Sequence, residues 1–170
     1  SWQLSGKAEE GYALTSRTGE QGVATTTVKS HTAGLLKMTA YLDSDNHKQA
    51  DTVTVVTGEI KTANFGSDKV RINSDGKDKV TLTASLADSY GNPVTNKKVI
   101  IEGGNSLSGF TLSEVRDQLN GDYVATGTAT AKGKVTLSAS VDGKSVGDSV
   151  MVTVDATPPD LKFEYSVQNV

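Results

Sequence analysis

Cysteine is absent from this sequence of 170 residues, and it holds one tryptophan, three phenylalanines and three prolines. The missing thiol excludes disulfides, thiolate nucleophiles and cysteine-ligated zinc together, while leaving the compartment open. No apolar run approaches the roughly 20 residues that a membrane-crossing helix needs. The first ten residues lack the basic-then-apolar pattern of a secretory leader. A basic field is missing too: 17 Lys and Arg stand against 20 Asp and Glu, a net charge of −3. The lysines are scattered among Asp and Thr, so nucleic acid is not an expected partner. Hydrophobic content is 35%, which is lean for a catalytic α/β domain but enough for thin sandwiches built on Val, Ile, Leu and Ala. The chain opens without methionine, inside a strand-like stretch holding Trp2 and Leu4. That reads as a fragment of a longer protein.

What is present is period-2 alternation, with little helical periodicity. Thr-, Val- and Ser-rich strands are expected at 23–29, 35–42, 52–57, 69–73, 79–87, 98–102, 110–113, 123–129, 134–141 and 149–154. Their spacing of about ten residues suits an all-β sandwich. One stretch, LSEVRDQLNG at 112–121, spaces Leu112, Val115 and Leu119 for one face of a helical turn.

The chain also repeats itself. VATTTVKSHTAGLLKMTAYLD at 23–43 aligns with VATGTATAKGKVTLSASVD at 124–142, matching Gly34 with Gly133 and Ala40 with Ala139. Asp51-Thr-Val then matches Asp148-Ser-Val, so the offset runs from 101 residues at the start to 97 at the end. About a hundred residues is the length of one immunoglobulin-like sandwich. The expected organisation is the C-terminal part of one module at 1–57, a complete module at 58–156, and a linker with the first strand of a following module at 157–170. Alternatively, residues 159–170 return to pair with the incomplete first copy.

Few residues offer chemistry. In DSYGNPV at 88–94, Gly91 is placed for positive φ, Asn92 is held extended by Pro93, and Asp88 can accept backbone N–H groups across the turn. Each residue has a backbone reason to be there. DSDNHKQAD at 43–51 offers oxygen ligands for calcium at Asp43, Asp45, Asn46 and Asp51. The glycine and terminal glutamate of an EF-hand loop are missing, so a solvated hairpin loop is the plainer reading. Asp155 and Asp160 flank a proline pair and form a weaker calcium candidate. His31 and His47 read as exposed loop residues, and Trp2 reads as the core tryptophan of the first copy rather than a sugar-stacking platform. No catalytic, cofactor-binding or metal-binding set is expected.

The stretch DGKDKVTLTASLADSYGNPVTNKKVII at 75–101 resembles the opening of a bacterial immunoglobulin-like domain of the Big-1 type, found in the intimin and invasin family of outer-membrane adhesins. Asp75-Gly76-Lys77, Ala84, Asp88, Gly91-Asn92-Pro93-Val94 and Val99 carry the match, and 121–141 and 22–42 resemble the family's second half. The resemblance implies tandem immunoglobulin-like sandwiches, each a Greek key of two antiparallel sheets. It further implies a non-catalytic stalk or adhesion module without cofactors, outside a bacterial cell and anchored through the outer membrane by parts not in this chain. Its partner would be protein, either a host receptor or a bacterial surface protein. Two other readings stay open: a secreted immunoglobulin-like effector that binds another bacterial protein, and an accessory carbohydrate-binding module.

Overall fold

The computed structural model describes residues 1–6, 15–42 and 48–158. Its strands are β1 (Trp2–Gly6), β2 (Gly34–Tyr41), β3 (Lys48–Val55), β4 (Thr62–Ser67), β5 (Arg71–Asn73), β6 (Val80–Ala87), β7 (Val99–Glu102), β8 (Phe110–Leu112), β9 (Arg116–Asp117), β10 (Asp122–Ala129), β11 (Gly133–Val141) and β12 (Lys144–Asp155). One 3-10 turn, Gly104–Ser106, is the only helical element among the described residues.

The chain divides into two compact units. The second holds Asn64–Ser85, Lys97–Gln118 and the chain from Asp122 onward. Two sheets make it a sandwich: one in the order β4-β6-β10-β8, with β9 also on β10, and one in the order β5-β12-β11-β7. In immunoglobulin terms these are A-B-E-D and A′-G-F-C. The alternation read from the sequence explains the core. In β6, Val80, Leu82, Ala84 and Leu86 are buried, while the Thr and Ser between them are half-buried. Val135 and Leu137 of β11, Val152 and Val154 of β12 and Ile72 of β5 meet Val80, Leu82 and Ala129 in one cluster. Tyr123, 1% exposed, closes one end, and its hydroxyl oxygen accepts the Lys97 N–H at 3.0 Å. Burial raises its pKa above the usual phenol value.

The sheets are antiparallel with one exception. β5 runs parallel to β12, pairing Thr153 with Arg71 and Val154 with Ile72. A two-residue turn, Asp142-Gly143, joins β11 to β12, with both residues at positive φ.

The first unit holds Ser1–Ala63, Leu86–Asn96 and Leu119–Gly121. Its sheet has the order β1-β2-β3, pairing Leu4 with Met38 and Leu36 with Val53. Leu36 is its buried centre, at 3% exposure.

Several expectations need correction. Residues 23–29 form no strand, although alternate residues Ala24, Thr26 and Val28 are half-buried. The strand expected at 52–57 begins at Lys48 and ends at Val55. Residues 112–121 form no helical turn. Leu112 ends β8, Arg116–Asp117 pairs with β10, and Leu119 stands 71% exposed at φ +59. The open flank of β10 supplies backbone partners that a lone helical turn would lack. β4 was not expected at all, and β12 begins at Lys144 instead of 149.

The match of Asp51 with Asp148 also fails. Gly34 pairs with Val55 as Gly133 pairs with Val154, and Met38 pairs with Asp51 as Leu137 pairs with Val150. Asp51 is therefore the counterpart of Val150. The register of β11 with β12 jumps between Leu137 and Ala139, and the bulge places Asp148 where the first copy has no residue.

Candidate functional site

The turn after β6 builds the most connected polar site among the described residues. Asp88, 3% exposed, is the buried charged residue of the chain's described part. Its Oδ1 accepts the N–H groups of Tyr90 and Asn92, both at 2.9 Å. Its Oδ2 accepts the Asn92 side-chain amide at 2.8 Å and the Gly58 N–H at 3.0 Å. The Asn92 amide and then the Gly58 N–H hold its pKa down to about 2. Gly91 takes φ +80, and its N–H donates to the Asp88 carbonyl at 3.2 Å.

Asn92 extends the site further. Its Nδ2 also donates to the His31 carbonyl at 2.8 Å, and its Oδ1 accepts the Ala33 N–H at 3.0 Å. The His31 and Tyr90 rings lie 4.3 Å apart at a tilt of 32°. The turn is thus a clasp inside the first unit, gripping residues 31–33 and Gly58. Four donors fill the roughly four acceptor positions of the carboxylate, so it is spent on structure and offers no lone pair to a cation or a proton in transit. Asp88 and its local bonds were legible in the sequence. The reach of Asn92 to residues 31–33 and of Asp88 to Gly58 was missed, and no local pattern signals either.

Substituting Asn for Asp88 sets an NH2 group against donors. We expect amide hydrogen exchange at Gly58 and Ala33 to accelerate by about tenfold or more, because these bonds then open locally. The pH dependence has a definite sign. A carboxyl held below the ordinary aspartate value of 3.8 stabilises the fold fully above that pH and loses the contribution as pH falls towards 2. The acid transition of the Asp88→Asn protein should lack that component, which circular dichroism between pH 5 and 2 would read.

The other candidates are not brought together. Asp51 stands exposed on β3, and its Oδ1 accepts the Thr52 N–H at 2.7 Å. Asp43, Asp45, Asn46, His47 and Asp160 lie outside the described residues. Among the described residues, no group of three or more His, Asp or Glu side chains could hold a metal ion. Asp155 takes both of its oxygens to Arg71, at 2.9 and 3.0 Å. His31 is exposed. Trp2 is half-buried in β1, and its indole N–H donates to Ser16 Oγ at 2.9 Å. It lines an open hollow of about 770 Å³ with Arg17, Tyr41 and Lys48, but Tyr41 is itself engaged, donating to Gln3 Oε1 at 2.7 Å. No helix of the described residues is long and apolar enough to cross a membrane.

Fold and turn together define an all-β class, the immunoglobulin-like sandwich. The family model for invasin, domain 3, matches residues 59–157. The chain belongs to that family, and its likeness to the immunoglobulin-like domains of intimin- and invasin-type adhesins holds. It is 30% identical over 145 residues to the inverse autotransporter adhesin YeeJ of Escherichia coli strain K12, covering 84% of this chain and 6% of that protein. The chain therefore spans a small part of that relative's length. The Escherichia coli adhesin FdeC is similar at 27% identity and a TM-score of 0.53, over 91% of this chain and 52% of that one. Yersinia pseudotuberculosis InvD shares the fold, at a TM-score of 0.72 and 16% identity, over 98% of this chain and 50% of that one.

Proposed function

We propose that this chain is a non-catalytic adhesion module of a bacterial surface protein, attaching to host cells or other surfaces through a protein partner. The module at 58–156 is complete. Residues 1–57 belong to a second module, and residues 159–170 lie outside the described residues. The observation that carries this reading is the family match over 59–157, joined to an adhesin relative that aligns with most of the chain. A protein of this kind works by presenting sheet faces and edges from a stable scaffold, with parts outside this chain holding it at the outer membrane. The buried carboxylate of Asp88 serves this scaffold, its acceptor positions being filled by the clasp.

Antibody raised against residues 1–170 should label intact, unpermeabilised cells that make the parent protein, and external protease should remove the label. Label found instead in the culture medium would support a secreted effector. Specific, saturable signal on a glycan array would support a carbohydrate-binding module.

A further inference from the structure

One edge of the second unit complements itself. β7 is the last strand of its sheet: it pairs with β11, and among the described residues no strand takes its other side. The chain around it, 79–129, is described throughout. From Lys98 the sequence reads KVIIE, and its alternation is strict. Val99 is 7% exposed and Ile101 packs against the core, whereas Lys98, Ile100 and Glu102 face outward, Ile100 at 44% exposure. Among the described residues neither Lys98 nor Glu102 has an ion-pair partner. Exposed sheet edges are usually protected by charge, lysine above all. At β7 that protection depends on direction. In a parallel approach of two β7 strands, Lys98 meets Lys98 and Glu102 meets Glu102, and like charges directly opposite are destabilising. In an antiparallel approach centred on Ile100, Lys98 faces Glu102 at both ends and Val99 faces Ile101. The two Ile100 side chains then meet on the two-fold axis. Opposite charges and β-branched side chains across a strand pair are both favourable.

We propose that β7 is a homotypic contact strand. Two copies of this chain pair antiparallel along residues 98–102, about a two-fold axis at Ile100, and so join their β5-β12-β11-β7 sheets edge to edge. The backbone groups of β7 that point away from β11 supply the hydrogen bonds, and the two ion pairs set direction and register, as alternate side chains do in other strand-addition sites. Ser140 is the neighbour of Ile100 on β11, so the outward row continues across the contact as Ser140, Ile100, Ile100 and Ser140. A strand pair this short buries far less than a standard interface, so one contact is weak. Many copies held on one surface strengthen it by valency. The contact needs no host receptor, and it stands whether or not the adhesion reading does.

The test uses the 170-residue chain and three variants: Lys98→Glu, Glu102→Lys and the double exchange. The parent should associate in a concentration-dependent way by sedimentation, with slower hydrogen exchange at the amides of 99–102 as concentration rises. Either single variant sets like charges opposite each other at both ends, and its association should weaken at least about tenfold. The two single variants mixed in equal amounts should associate again, because Lys98→Glu presents two carboxylates and Glu102→Lys presents two ammonium groups. The double exchange should associate like the parent, which also shows that the fold tolerates both changes. Three results would overturn the proposal: a parent that stays monomeric up to its solubility limit, single variants that associate as the parent does, or a mixture that associates no better than its components.

Discussion

Replacing Leu82 by alanine is expected to cost about 2–5 kcal/mol, the range for emptying a leucine site that the surroundings cannot refill. Leu82 is 0% exposed, and it sits among Ile72, Val80, Val135, Leu137, Val152 and Val154. These come from both sheets of the second unit, so a cavity there removes contacts across the sandwich as well as within β6. For a domain of about a hundred residues each kcal/mol moves the melting midpoint by roughly 4–8 °C, so calorimetry should show a fall of about 10 °C or more. Val70→Ala, at a side chain 60% exposed, is the control, expected within about 0.5 kcal/mol of the parent. Equal effects at the two positions would mean that the buried cluster is not the core.

The second large effect is expected at Gly121, a buried glycine with φ +90. A Cβ there would lie 2.7 Å from the Leu86 carbonyl oxygen and 2.9 Å from Cβ of Pro93. The Gly121 carbonyl meanwhile accepts the Leu86 N–H at 2.8 Å. Alanine would therefore meet backbone strain of about 1–3 kcal/mol, and it would also push on the segment that carries the Asp88 turn. Thermal unfolding measures the first effect. Hydrogen exchange at Val94, whose N–H donates to the Leu86 carbonyl at 3.0 Å, measures the second and should quicken. A Gly121→Ala protein that melts with the parent would show that the chain relaxes around the new methyl, against this packing.

Much of the sandwich was legible because its strands bury one face each. Val80 to Leu86 alternates cleanly, and so does Val135 to Val141, so period and burial agree. The failures have a common cause. The stretch 23–29 has nearly the wording of 124–130, yet it forms no strand, whereas the second copy lies on β10. A strand is completed by neighbours, and β10 has β6 and β8 to bond with. Conversely, TANFGS at 62–67 alternates poorly and carries Asn and Gly, which strands disfavour, but the flank of β6 makes it β4. The bulge in β12 hid the repeat register in the same way, because Asp148 looked like a match and is an insertion.

The DSYGNPV stretch was legible as a turn and as a family mark. Its hold on residues 31–33 joins groups about 60 residues apart in the chain, a distance at which local pattern is silent. Asn92 therefore read as an extended residue before proline when it is also the hinge pin of the clasp. Of the weak calcium candidates, Asp51 lies within β3, where its side chain accepts the Thr52 N–H, and Asp43 and Asp45 lie outside the described residues.

The most direct test of the account is adhesion by this chain itself. Residues 1–170 displayed on a non-adherent bacterial strain should raise attachment to host-cell monolayers above that of the undisplayed strain, and the same chain added in solution should compete that attachment away. Attachment no greater than that of the undisplayed strain, on host cells and on a bacterial lawn alike, would contradict the claim that this is an adhesion module.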